Sequence, residues 1–123
     1  MAETSIFLAG NLTDDPELGY TTGGTARATF RVAVSGRVRD GEGWRVGEPA
    51  FYSVVVWRDQ AEHAAASLAK GSRVVVVGRL AQRSWQADDG TTRSLVEVVA
   101  DELGPSLRWA TATTTRTTRN SSI

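Results

Sequence analysis

Apolar and polar positions alternate along most of this chain, and the alternation is interrupted once by a helical repeat. Ser5 to Asn11 (SIFLAGN) is a short apolar run and predicts a first strand; the following LTDDPELGYTTGG is polar and contains proline, which reads as a loop. Thr25 to Val34 sets Ala28, Phe30, Val32 and Val34 on one side and Arg27, Thr29, Arg31 and Ala33 on the other. A period of two is that of a half-buried strand. SGRVRDGEGWRVGEP, rich in glycine and charge, predicts a long projecting loop or hairpin, and Ala50 to Trp57 (AFYSVVVW) a third strand. The period then changes. Asp59 with Glu62 three residues on forms a capping-box pattern. Ala61, Ala64, Ala65 and Leu68 follow at helical spacing, and Gly71 stands where helices commonly stop, so residues 59–70 predict one short amphipathic helix. Ser72 to Trp85 returns to strand, Asp88-Asp89-Gly90 turns, and Thr91 to Ala100 runs back.

Strand-strand-strand-helix-strand-strand is the order of the OB-fold, an all-β, five-stranded Greek-key barrel. A small SH3-like barrel is the other candidate on pattern, and the helix between the third and fourth strands favours the OB arrangement. The 123 residues suffice for one domain. That domain is expected over 1–110. From Thr111 the composition shifts to TATTTRTTRNSSI, without core-forming residues before Ile123, and predicts a disordered tail over 111–123.

Composition narrows the chemistry. With no cysteine there are no disulfides, thiolate metal sites or cysteine nucleophiles. No apolar run approaches the roughly 18 residues of a membrane span. The start, MAETSIFLAG, has no basic residue ahead of its short apolar stretch, unlike a secretory signal. A cytoplasmic protein with no membrane partner is expected. Fourteen basic residues balance fourteen acidic ones, which at first argues against a polyanionic ligand. Their placement reverses that impression. Residues 27–58 and 73–93 together hold ten arginines against Asp40, Glu42, Glu48, Asp88 and Asp89. Arginine both stacks on planar rings and forks onto phosphate.

Side-chain direction then separates core from surface. In the fourth strand Val74, Val76, Gly78 and Leu80 share a core-like face, and Arg73, Val75, Val77, Arg79, Ala81, Arg83 and Trp85 share the opposite one. An indole beside arginines on a non-core face suits unpaired nucleic acid, whose bases need flat apolar surfaces and whose phosphates need cations. In the third strand Phe51, Ser53, Val55 and Trp57 oppose Tyr52, Val54 and Val56, and the alternation alone does not say which set is buried. Arg58 follows Trp57 directly. Trp44 lies in the glycine-rich loop near Arg37, Arg39 and Arg45, placed either to clamp a strand or to cover the barrel mouth. Trp109 is expected to dock a C-terminal segment on the barrel or on a neighbouring subunit. An enzyme is not expected. His63, the only histidine, falls on the predicted helix as solvated decoration, there is no phosphate-cradling glycine loop or metal-ligand cluster, and no cofactor is implied.

GNLTDDPELGYTTGG (10–24), AFYSVVVWRDQAE (50–62), LAKGSRVVVVGRLAQRSW (68–85) and TTRSLVEVVADELG (91–104) resemble bacterial single-stranded DNA-binding proteins of the replication type, collinearly over residues 4–109. VADELGPSLRWATA looks closest to actinobacterial, including mycobacterial, members. The resemblance implies an OB-fold protomer assembling as a homotetramer, nucleoid-associated, with single-stranded DNA wrapped over it in replication, recombination or repair. It implies base stacking at Phe51, Trp57 and Trp85 and a cation at Lys70. A further stacking tryptophan of some members falls at Arg37. With these, Arg27, Arg31, Trp44, Arg58, Arg73, Arg79, Arg83 and Arg93 complete the expected nucleic-acid-binding set. Replication-type members end in an acidic, hydrophobic tip that recruits partner enzymes, whereas this sequence ends RTTRNSSI with no acid after Glu102, so tip-mediated recruitment is not expected and a paralogue is favoured over a truncation. The alternative from a different class is an OB-fold protein-interaction module, forming heterotetramers or docking on a primosome component, with weak DNA binding.

Overall fold

A computed structural model describes residues 4–41 and 43–118. In chain order the elements are β1 (Ser5–Leu12), β2 (Glu17–Tyr20), β3 (Ala26–Val34), β4 (Arg37–Asp40), β5 (Gly43–Val46), β6 (Ala50–Trp57), α1 (Arg58–Ser67), β7 (Arg73–Gln86) and β8 (Thr92–Pro105). The main sheet runs β1-β7-β8-β6-β3-β2, and a further β1–β3 pairing closes β1, β7, β8, β6 and β3 on themselves. This is the five-stranded Greek-key OB barrel, with its helix between the third and fourth barrel strands. The pairings are antiparallel except β6–β8, where Val54 faces Val98 and Val55 faces Val99 in parallel.

The alternation in β3 is realised as read. Ala28, Phe30 and Val32 are buried with Val54, Val56, Val74, Val76 and Val98 in one core. Burial of Val54 and Val56, with Tyr52 packed against them, settles the ambiguity in β6: Phe51 and Trp57 point outward. Gly78 lies in this core stripe because a Cβ there would run into the Val99 carbonyl oxygen. The β7–β8 register shifts at the same place, between Val77 and Gly78, so the long β7–β8 ribbon bends out of the barrel wall. Gly90, at φ +84°, closes the ribbon's turn, with its N–H donating to Ala87 O at 3.0 Å.

Three expectations need correction. The loop after β1 contains a strand: β2 pairs with β3 from Glu17↔Thr29 to Tyr20↔Ala26. It is four residues long and all are exposed, so the Leu18 and Tyr20 alternation is too short to read as a strand. The helix spans Arg58–Ser67, not 59–70, and has no side-chain cap. Arg58 enters it with φ +62°, making Trp57 the flanking residue, while Glu62 accepts a hydrogen bond from the Tyr20 hydroxyl at 2.9 Å and not from its own helix terminus. At the other end Leu68 turns extended and joins the core, and the Ala69 and Lys70 N–H groups donate to Ser72 Oγ and Asp15 Oδ1. The last strand continues beyond Ala100 to Pro105 by pairing with β7 on the far side of the bulge. SGRVRDGEGWRVGEP forms the β4–β5 hairpin.

Residues 111–118 form neither helix nor strand, and Thr117 Oγ1 lies 3.2 Å from His63 Nε2 on α1. Trp109 is largely exposed, with the Arg73 and Arg108 guanidinium carbons 4.7 and 4.9 Å from its ring centre. Among the described residues no helix is long and apolar enough to cross a membrane.

Candidate nucleic-acid interface

Four neighbouring strands, β3, β6, β8 and β7, turn one continuous face away from the core. Register sets what stands on it. Residues directly opposite in antiparallel strands share a face, so Arg27 lies beside Trp57, Arg31 beside Ser53, Ala33 beside Phe51, Arg83 beside Leu95, and Trp85 beside Arg93. Phe51, Trp57 and Trp85 are 48%, 37% and 42% exposed, well above the core and with ring surface open to solvent.

Every one of these rings has a guanidinium against it. The Arg31 carbon is 4.5 Å from the Phe51 ring centre, Arg83 is 4.8 Å from Trp85, and Arg27 is 5.7 Å from Trp57. Such distances lie within cation–π range. The arrangement pre-places planar cations beside apolar plates, and it limits the freedom both lose when a ligand arrives.

Glu97 sits at the centre of this face and was not singled out by the sequence. It is 8% exposed, the only buried charged residue among those described. Its carboxylate accepts a hydrogen bond from Arg83 Nε at 3.4 Å and lies 3.8 Å from an Arg27 Nη. A buried charge needs partners of this kind. A signal did exist: folding the chain at Asp88-Asp89-Gly90 sets Glu97 opposite Ala81, between Arg79 and Arg83.

The remaining expected residues do not share one location. Arg58 and Arg79 line one depression with Trp57, and Arg79 is ion-paired to Asp101 at 2.7 Å. A non-glycine residue at positive φ, such as Arg58, is uncommon and strained by roughly 1–2 kcal/mol. Here the strain aims the chain from the end of β6 into α1, directly beside the Trp57 ring. Arg93 shares the face of Trp85 near the tip of the ribbon and pairs with Asp89 at 3.8 Å. Asp89 is held below the usual carboxylate range by hydrogen bonds from the Thr91 hydroxyl at 2.6 Å and the Thr91 N–H at 3.0 Å.

Trp44 is 62% exposed on the β4–β5 hairpin, which follows the end of β3 near the Ala33–Phe51 pair. The Arg37 side chain lies outside the described residues. Lys70 and Arg73 are not brought to the aromatic row. Arg73 pairs with Asn11 at the α1 end of β7 and lies under Trp109, and Lys70 is in the turn just before it.

Comparison with known proteins adds three findings. Residues 3–106 match the Single-strand binding protein family. The chain is 48% identical over 120 residues to the single-stranded DNA-binding protein of Paenarthrobacter aurescens, covering 96% of this chain and 70% of that protein. It is equally similar to the Mycolicibacterium smegmatis protein of the same name, at 48% over 120 residues, 96% of this chain and 73% of that one. Among solved structures, the small single-stranded DNA-binding protein of Streptomyces coelicolor superposes with a TM-score of 0.72 at 34% identity, over 87% of this chain and 97% of that chain.

Proposed function

The chain belongs to the single-strand binding protein family, and from that membership we propose how it holds its ligand. It binds single-stranded DNA without catalysis, in replication, recombination or repair. Bases stack on Phe51, Trp57 and Trp85, and phosphates lie along Arg27, Arg31, Arg58, Arg79, Arg83 and Arg93. The observation that carries this reading is the repeated pair: three exposed rings on one sheet face, each with an arginine between 4.5 and 5.7 Å from its centre. Stacking of a base on an aromatic side chain contributes about 1–3 kcal/mol and tolerates any sequence, because every base has a π face. Trp44 on its hairpin reaches further along the strand. Lys70 and Arg73 form a separate contact for a longer strand at the α1 end.

Residues 1–110 form the binding module and 111–123 an extension rich in Thr, Ser and Arg. The module assembles with copies of itself, as a homotetramer acting on the nucleoid in the cytoplasm. The support for self-association is a second outward patch: Phe7 opposite Val77 and Ala9 opposite Val75, with Phe7 75% exposed. Contiguous apolar surface of this kind marks protein contacts.

Anisotropy measurements with a labelled oligo(dT) and a duplex of equal length test the function. Binding to the single strand is expected to be much tighter and to weaken linearly in log salt as counterions are released. Equal affinity for the two would refute the stacking mechanism, since duplex bases are not available to the rings.

A further inference from the structure

We propose that Glu97 is a positioning residue for the DNA-binding face: a single buried carboxylate that props Arg27 and Arg83, and through them Trp57 and Trp85, into one rigid platform. The inference rests on the reading of that face given above and assigns a role that neither charge nor stacking alone would assign. An acid in the middle of a phosphate-binding surface is unfavourable by its charge, so its presence calls for a compensating contribution.

The geometry supplies one. Glu97 on β8 reaches Arg83 on β7 through Nε at 3.4 Å and Arg27 on β3 at 3.8 Å, bridging strands on either side of β6 and β8. Each of those arginines lies on a tryptophan, Arg27 on Trp57 and Arg83 on Trp85. The two rings come from strands on either side of β8, and one chain of side-chain contacts joins them: Trp57, Arg27, Glu97, Arg83, Trp85. Val55, next to it on the outward face of β6, is only 2% exposed although it does not belong to the core cluster. The side chains above it therefore form a closed layer. With its side chain 11% exposed, Glu97 holds its partners in a medium where ion pairs are screened less than on the open surface.

Using Nε for the carboxylate also leaves the terminal nitrogens of Arg83 for a phosphate, since a guanidinium carries five donors. Arg83 remains half exposed, as a ligand-ready group must. Glu97 thus holds Arg83 by hydrogen bond and Arg27 by charge, while the terminal nitrogens of Arg83 stay available for binding. Its negative charge is the disadvantage of that arrangement, and its acceptor oxygens are the benefit.

Charge and acceptor can be separated by two substitutions of similar size, both neutral. Glu97→Gln keeps an acceptor oxygen for Arg83, whereas Glu97→Met has none. Both remove the same repulsion of phosphate. Oligo(dT) titrations at low and high salt, read by tryptophan quenching, should therefore find E97Q equal to or up to about threefold tighter than wild type. E97M should bind at least about fivefold more weakly than E97Q at high salt, where stacking dominates, and should quench less at saturation. Circular dichroism and thermal unfolding establish that both are folded. If E97M does not fold, the free wild-type protein decides: an Arg83 Nε–H resolved by NMR and slow to exchange supports the proposal. E97Q and E97M binding alike, or an Arg83 Nε–H exchanging as fast as that of a solvated arginine, overturns it. Failure of the wild-type protein itself to quench on oligo(dT) would instead overturn the reading of the face, and the two failures are distinct.

Discussion

The barrel turns two patches of outward side chains to solvent, and they differ in one respect. On β3, β6 and the β7–β8 ribbon, each exposed ring is accompanied by an arginine, and a buried glutamate lies between two of those pairs. On the β1–β7 wall, Phe7, Ala9, Val75 and Val77 face outward together, with Arg73 and Arg79 along β7 and Glu102 opposite Val77 at the border of the patch. Both patches arise from the same period-two alternation, and both leave large apolar side chains exposed. Exposure alone does not identify a ligand. The charge interleaved with the rings does: planar cations beside planar rings suit a stacked polyanion, whereas an apolar patch with charge at its border suits another protein surface.

Substitutions can break this contrast from either side. The largest effect is expected from Trp57→Ala with Trp85→Ala. Loss of two stacking plates at about 1–3 kcal/mol each weakens oligo(dT) binding by about 30-fold or more, while sedimentation velocity shows the assembly unchanged. Phe7→Asp should do the reverse. Its side chain is exposed in the protomer, so folding survives, but the assembly falls to smaller species in sedimentation. A short oligo(dT) that covers a single protomer should still quench its tryptophans. If F7D left the assembly intact, the second patch would not be a subunit contact.

Single arginines give smaller changes. Arg31→Ala, which removes the cation beside Phe51, should reduce the slope of log affinity against log salt by about 0.7 for one lost phosphate contact. Arg58→Gly should raise thermal stability slightly or leave it unchanged, because relief of about 1–2 kcal/mol of left-handed strain exceeds or matches glycine's added chain entropy of about 0.5–1 kcal/mol. The same substitution should weaken DNA binding. A stable but weaker-binding protein would identify the strain as the consequence of aiming Arg58 at the Trp57 depression.

The smallest effect concerns pH. Asp89, held below its ordinary range by Thr91, stabilises the ribbon turn above the unfolded-state pKa. That contribution disappears as pH falls through the lowered folded value. Protection of the Gly90 and Thr91 amides, measured against the intrinsic exchange rate at the same pH, should therefore fall at acid pH before that of the barrel strands, and Thr91→Val should shift that onset upward.

What the sequence makes legible follows from how each element is stabilised. β3 and the first half of β7 are half-buried strands whose alternation names the core stripe, whereas in β6 it offers two candidate sets that the burial of Val54 and Val56 decides between. β2 is held by backbone pairing to β3 and by the Tyr20–Glu62 hydrogen bond, and its four exposed residues give too short an alternation to announce it. The capping box at Asp59 and Glu62 fails because Tyr20, 42 residues away, engages the Glu62 carboxylate. Long-range partners of that kind leave no trace at local spacing. The site divides in the same way. Trp85 and Arg83 are legible from strand faces, whereas Phe51 and Trp57 stand in one of two alternating sets until the burial of Val54 and Val56 decides between them. Glu97 is not, because its importance comes from Arg27 on one neighbouring strand and Arg83 on another, and only the closed sheet brings the three together. Lys70 and Arg73 show the opposite case, cations prominent in the sequence that the fold carries to the α1 end, away from the aromatic row.

The most direct test of the central claim is the intrinsic tryptophan fluorescence of the wild-type protein titrated with oligo(dT) at low and high salt, beside the folded W57A/W85A variant. Trp44 and Trp109 remain in that variant and report on its integrity. Strong quenching by the wild type that weakens with salt, and is largely lost in the variant, is the expected result. Quenching and affinity unchanged in the variant would contradict the account, because the strand would then be held somewhere other than on the ring-and-arginine face.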